Sequence, residues 1–329
     1  MTVAFFAPLK SPNHPVPSGD RAMARALMAA LRAGGKTVTL TSELRLFDGR
    51  GDAAQQDKLF ESARQETARI LANPEAKSWR VWLTYHNYYK APDLIGPVVS
   101  RALNIPYILI ESSRARKRLT GPWARFAEQA EAASDAAHTI FYVTLRDSET
   151  LIRDAPQVQA LRRLRPVLAR PHLPRGRGLA ALPASTDWRM EIAGDGPARE
   201  EVAKMMAPFG DRVRLHGLLD ADALAGLYAQ ASLLVWPGVN EAFGINYLEA
   251  QAAGIPVVAQ DRPGVRDVVF APMCRVDEGP TAIAKAIEHL ISDPVARRNI
   301  GTRARTRIGT HHLLGAATET LLDTIEGLS

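Results

Sequence analysis

Two carboxylates, Glu241 and Glu249, stand eight positions apart in the run NEAFGINYLEAQAAGIPVV at residues 240–258, around a Phe243-Gly244 turn. Acids at that spacing mean little alone, because about a quarter of residues in an ordinary chain are charged. The context supplies the meaning. Residues 231–236 (ASLLVW) read as a buried strand, closed by Pro237-Gly238. Glu241 then falls in the loop at the strand's carboxyl end, Ala242, Phe243 and Gly244 open a helix, and Glu249 lies about a turn and a half further in. A helix N-terminus beside the carboxyl edge of a sheet offers backbone N–H groups to an anion. Flanking carboxylates accept hydroxyls. The ligand that suits both carries phosphates and hydroxyls together, as a nucleotide sugar does.

Four more places carry chemistry-bearing residues. Gly194 and Gly196, in EIAGDGP at residues 191–197, follow a strand and permit a tight turn with close backbone approach, and Pro197 fits the first position of the next helix. Ser18-Gly19-Asp20-Arg21 opens the first helix, where Gly19 leaves the backbone accessible. His86 follows a strand within TYHNYYK (84–90), and Glu111 ends the next strand, so both are placed at a sheet edge. Tyr85, Tyr88 and Tyr89 offer either core packing or a stacking surface for sugars. Arg114, Arg116, Lys117, Arg118 and Arg125 stand beside Trp123 and Phe126. That segment reads as a membrane-surface contact, a cradle for an anionic acceptor, or a solvated basic face.

The 240–258 run resembles the E-x7-E motif of retaining glycosyltransferases of the GT-B fold, in the group called family 4 or glycosyl transferases group 1. The 191–201 block is similar to that family's strand, Gly-x-Gly-Pro turn and helix, and Leu215-His216-Gly217 to the short strand whose backbone meets the nucleotide base. The likeness is dense over residues 188–308 and loose before 166. It implies an α/β protein of the GT-B class, with two Rossmann-like domains facing each other across a cleft. It further implies that Glu241 contacts the donor sugar's hydroxyls, Glu249 the ribose hydroxyls, and His86 the region of the reacting sugar and acceptor. The diphosphate would meet Ala242, Phe243 and Gly244, with Gly194, Gly196 and Gly19 lining the ligand. Neither glutamate is expected to be a covalent nucleophile of the glycosidase kind.

Composition agrees with a soluble globular protein. The 329 residues exceed one comfortable core, with 46% hydrophobic and 23% charged. Strand and helix patterns alternate from end to end, which argues parallel sheets with crossover helices. The expected domains are 1–165, closed by a returning helix at 310–329, and 166–309. No apolar run reaches membrane-spanning length, and the N-terminus reads as a first strand rather than a signal peptide. One cysteine, Cys274, excludes an intrachain disulfide and a cysteine-based zinc site. The expected compartment is the cytoplasm, with peripheral contact at the inner membrane face. The net charge of +6 implies an anionic partner. No nucleic-acid-binding pattern appears, so a nucleotide sugar and an unidentified acceptor are the expected partners.

One segment departs from the family's pattern. Residues 162–186 hold four prolines and six arginines and read as an interdomain linker. The family has a basic loop there whose Arg and Lys clamp the donor diphosphate, and no Gly-x-x-Lys loop stands here. Either Arg175 or Arg177 takes that place, or donor binding is weakened or lost. No acid pair of the DxD type ends a strand, so metal independence is expected, with no cofactor beyond a UDP-, GDP- or ADP-sugar donor. The alternative is a nucleotide-sugar-binding homologue impaired in catalysis.

Overall fold

The computed structural model describes residues 1–154, 160–168, 188–236 and 243–328. They divide into two compact units, Met1–Ala169 with His311–Ser329, and Arg170–Thr310.

The first unit is built around β1 (Thr2–Phe6), α1 (Gly19–Ala33), β2 (Thr37–Leu40), α2 (Ala53–Ala72), β3 (Trp79–Asn87), α3 (Gly96–Leu103), β4 (Tyr107–Ser112), α4 (Ala124–Ala136), β5 (Thr139–Tyr142), α5 (Leu145–Asp154) and β6 (Ala160–Arg163). The strands form one parallel sheet in the order β2-β1-β3-β4-β5-β6. Ser18 caps α1, its Oγ accepting from the Arg21 N–H at 3.2 Å, and the helix buries Met23, Leu27 and Leu31. One side of the sheet packs Phe6, Trp79, Trp82, Tyr107, Phe126 and Ile140 into a core. The chain runs outward from β1 to β2, then crosses back to β3 and continues the other way. Loops leaving the carboxyl ends of β1 and β3 therefore diverge, and such a reversal is where open α/β sheets bind ligands.

Strand β6 corrects a reading of the sequence. The start of the Arg-rich stretch taken as linker is the sheet's edge strand, paired with β5 from Ala160 to Arg163, and Leu164, Val167 and Leu168 beyond it are buried. Exposed and half-buried residues alternate along it, Ala160 and Arg162 outward, as suits an edge strand with one face to water.

The second unit holds β7 (Met190–Ala193), α6 (Arg199–Met206), β8 (Val213–Gly217), α7 (Ala221–Gln230), β9 (Leu234–Trp236), α8 (Ile245–Ala252), β10 (Val257–Ala259), α9 (Val265–Val268), α10 (Gly279–Ser292) and α11 (Pro294–His311). Among the described residues its strands pair as β7 with β8 and β9 with β10, both parallel. The best-buried part surrounds β10 and α8, where Val258 and Cys274 pack against Leu290. Of residues 188–236 only Gly217 is buried. Met205 and Phe209, four positions apart, are 55% and 47% exposed. Helix α6 stops at Met206, and the chain tightens into a 3-10 turn in which Gly210 takes φ 55°, so the helical period does not reach Phe209. Its ring stacks edge-on with Trp188 instead.

The chain's last helix, α12 (Leu314–Glu326), belongs to the first unit and lies on α1. Thr318 Oγ1 donates to the Ala30 carbonyl at 2.9 Å, Leu322 occupies the space where a side chain at Gly34 would go, and Lys36 meets Glu326 at 2.7 Å.

Candidate functional site

At the carboxyl edge of the first unit's sheet, four ionisable side chains converge from four elements. Asp20 sits in the first turn of α1, His86 at the end of β3, Glu111 near the end of β4, and Asp147 in the first turn of α5. His86 Nδ1 lies 3.6 Å from Asp20 Oδ1. Thr144 Oγ1 donates to Asp147 Oδ2 at 2.7 Å and accepts from the Asp147 N–H at 3.2 Å. Glu111 Oε2 and the Tyr85 hydroxyl are both buried beside each other.

Burial and mutual charge set the protonation of this group. Burial opposes the charge of Asp20, yet the His86 imidazole and the Lys10 ammonium hold its carboxyl below the usual range. Burial also opposes an imidazolium at His86, but Glu111, Asp20 and Asp147 raise it above its ordinary value. Burial pushes Glu111 up to about 7, reinforced by Asp147 and Asp20 and opposed by His86. Asp147 is raised as well, by burial, against the Thr144 hydrogen bond and the His86 charge. A carboxyl raised to about 7 beside an imidazole raised above its ordinary value suits proton transfer to or from a hydroxyl.

Both central residues are held in strained backbone. His86 has φ 74° and Glu111 φ 59°, left-handed values that cost a non-glycine residue about 1–3 kcal/mol. The residue after each explains how the strain is kept. Asn87 and Ser112 are fully buried, and Asn87 Nδ2 donates to Ser112 Oγ and to the Ala130 carbonyl, both at 3.0 Å. Asn87 Oδ1 accepts from the Asp93 N–H at 3.0 Å. The two strand ends are thus tied to each other and to α4, which over-determines the conformation of the residues just before them.

In the second unit, Gly244 caps α8 with φ 69°. A Cβ there would come within 2.7 Å of the Tyr247 ring, so only glycine fits on both grounds. Phe243 is buried beside it. Among the described residues no side chain caps the helix start. Glu249 is half-buried in the second turn and accepts from the Tyr228 hydroxyl on α7 at 3.2 Å. Burial and the Glu249 charge raise the Tyr228 phenol well above its ordinary value. Gly194 takes φ 141° and donates its N–H to the Gly217 carbonyl at 2.8 Å, while the space beside Gly194 and Gly196 is open. Helix α6 begins at Arg199 with Ala198 as its cap, so Pro197 lies just outside rather than at the first helical position. Gly19 is the exposed first residue of α1, and its neighbour Asp20 makes the contact with His86. Glu241, Ala242, Arg175 and Arg177 lie outside the described residues.

The basic segment divides. Arg114 is buried between Glu131 and Asp135, Arg116 meets Asp154, Arg125 meets Asp57, and Phe126 is core. Lys117 and Arg118 stay exposed.

Comparison with known proteins fits this arrangement. Residues 177–293 match the family model described as Glycosyl transferases group 1. A GDP-mannose-dependent alpha-(1-6)-phosphatidylinositol dimannoside mannosyltransferase of Mycobacterium tuberculosis is 35% identical over 135 residues, 40% of this chain and 35% of that protein. An alpha-D-kanosaminyltransferase of Streptomyces kanamyceticus is 31% identical over 144 residues, 41% of this chain and 36% of that protein. The alignments thus span about a third of the length of these curated relatives. Among solved structures, sucrose-phosphate synthase of Thermosynechococcus elongatus superposes with a TM-score of 0.73 at 19% identity, over 99% of this chain and 98% of that one. Anabaena HepE in complex with UDP superposes with a TM-score of 0.72 at 16% identity, over the whole of both chains. The fold is GT-B. Among the described residues no helix is long and apolar enough to cross a membrane.

Proposed function

We propose that this protein is a glycosyltransferase that moves a sugar from a nucleoside-diphosphate sugar to an acceptor hydroxyl, with retention at the anomeric carbon and without a metal ion. The observation that carries the reading is the start of α8, where Gly244 at the cap position brings no side chain, followed by a carboxylate, Glu249, oriented by Tyr228. N–H groups at a helix start favour a diphosphate, and Glu249 is suited to accept ribose hydroxyls. The GDP-mannose-dependent relatives support a nucleotide-sugar donor, as does the UDP held by HepE.

In the transfer, the acceptor oxygen bonds to the anomeric carbon as the bond to the leaving phosphate oxygen breaks. Charge grows on the diphosphate, where helix N–H groups act most strongly. The acceptor proton must leave, and Glu111, raised to about 7 in the cluster with His86, is suited to take it. Glu241, just before α8, is assigned the donor sugar's hydroxyls by family resemblance.

Calorimetry with UDP, GDP and ADP tests the donor reading. Glu249→Ala should weaken binding of the preferred diphosphate by about 1.5–3 kcal/mol, since it leaves ribose hydroxyls unpaired. Unchanged affinity removes Glu249 from the site. The second reading, a binding homologue impaired in catalysis, is favoured by the absence of a Gly-x-x-Lys loop in the sequence between residues 162 and 186. Nucleotide binding without transfer or hydrolysis across a broad donor panel selects it.

A further inference from the structure

A continuous run of aromatic rings leads from the His86 cluster to the surface of the first unit. Ring centres step 5.0 Å from His86 to Tyr88, 5.6 Å on to Tyr89, and 5.8 Å on to Trp123. The last pair meets edge to face at 90°. Two cations converge on it. Lys90 Nζ lies 5.7 Å from the Tyr89 ring centre and 5.3 Å from that of Trp123, and Arg118 Cζ lies 5.1 and 5.4 Å from the same two centres. Neither cation has a carboxylate within ion-pair distance among the described residues, whereas Arg114, Arg116 and Arg125 close by are all paired.

The platform is built, not incidental. Trp123 Nε1 donates to the Asp48 carbonyl at 3.0 Å, which fixes the plane of the indole. Gly51, with φ 74°, lies against Pro122 and Trp123 so closely that any Cβ would strike the Pro122 ring. The Asp48 carboxylate is turned inward, accepting from the Arg50 and Gly51 N–H groups and from Gln56, so its charge does not neutralise the platform. Two like charges held over one ring pair repel each other, and an anion between them removes that cost.

We propose that Lys90 and Arg118, over Tyr89 and Trp123, form a subsite for a phosphate carried by the acceptor. The intervening Tyr88 and Tyr89 faces would carry the sugar between that phosphate and the hydroxyl presented near His86. This rests on the reading of the first unit as the acceptor side. The phosphate belongs either to a soluble sugar phosphate or to a lipid headgroup.

Tryptophan fluorescence titrations with glucose-6-phosphate, with glucose as control, test the assignment, and a Trp123→Phe variant identifies the responding ring. The wild type should respond to the phosphate form and not to glucose. The double variant Lys90→Gln/Arg118→Gln should bind it about tenfold more weakly, and added salt should weaken the wild type. Flotation with phosphatidylglycerol/phosphatidylcholine vesicles separates the sources. Vesicle binding displaced by glucose-6-phosphate puts the phosphate on a lipid, and sugar-phosphate binding without vesicle binding makes the acceptor soluble. Equal binding by wild type and double variant, or no response to the sugar phosphate, overturns the subsite. So does vesicle binding that the sugar phosphate leaves untouched, which marks a membrane contact only. Affinity of the double variant for free nucleotide diphosphate reads the donor side separately, so loss of the subsite leaves that reading standing.

Discussion

Replacing Glu111 by Gln keeps the shape of a buried side chain and removes its ability to ionise. In the native protein this carboxyl is raised from 4.5 to about 7, chiefly by burial. At about 1.4 kcal/mol per unit, the shift corresponds to about 3 kcal/mol of native stability. Below pH 4.5 the group is neutral in folded and unfolded chains and costs nothing. Between 4.5 and about 7 only the unfolded chain ionises it, so stability falls as pH rises; above that range the full cost persists. His86 adds a slope of the same sign, because its raised value gives stability present below 6.5 and lost as pH rises through the folded value. Asp20 acts oppositely at acid pH, its stability being lost as pH falls below 3.8 through the lowered folded value. The difference between variant and wild type cancels the slope of Asp20, whereas that of His86 shrinks with the loss of Glu111 and adds to the variant's gain in the same direction. Urea denaturation at about pH 4.5 and about pH 8 should therefore show Glu111→Gln gaining about 3 kcal/mol over the wild type between the two conditions. The same variant should lose transfer activity, and with it the rise in rate through pH 7 that a base of this kind confers. A stability difference that is the same at both pH values refutes the buried, raised carboxyl.

Three further outcomes are expected. Gly244→Ala forces a Cβ into the Tyr247 ring at a left-handed position, and should destabilise the second unit by more than about 1 kcal/mol in chemical denaturation. Asn87→Ala removes the tie between β3, β4 and α4 and leaves buried partners unpaired, so it should cost about 2–3 kcal/mol by the same measurement and lower acceptor-dependent turnover more than nucleotide affinity. Transfer should survive EDTA, and activity abolished by chelation and restored by Mg²⁺ or Mn²⁺ overturns the metal-free mechanism.

Much of the architecture is legible in the residues. Apolar strands such as 79–85 and 106–111 alternate with helices whose apolar stripes, Met23-Leu27-Leu31 for one, are buried. The Phe-Gly turn opening α8 is legible because Gly244 is required there on steric grounds. His86 and Glu111 are legible because each ends a strand, and parallel strands deliver such residues to one edge. Their partners are not. Asp20 and Asp147 reach His86 from helices far off in the chain, and the only local hints are a capped first turn and a Thr144-to-Asp147 spacing. Tyr228 meets Glu249 only through the packing of α7 beside α8. The basic run looks uniform in sequence, yet Glu131 and Asp135, one turn apart on α4, draw Arg114 inward and leave Arg118 to the rings. Around Phe209, the helical spacing gave way to the 3-10 turn that follows α6 after Met206.

The meeting of the two crossings between units has a consequence for how the chain is made. The Leu168 N–H donates to the His312 carbonyl at 2.8 Å, and His312 Nδ1–H donates to the Pro166 carbonyl at 2.9 Å. The second unit therefore leaves and re-enters the first at one point, as a parenthesis inside a sentence. Domains fold as units as they are synthesised, N-terminal part first. Here the opening unit lacks α12, and with it the cover over Ala30 and Gly34, until the whole parenthesis has been translated. A chain cut after Thr310 should bind ANS through the bared face of α1. The unit that begins first is the one that closes last.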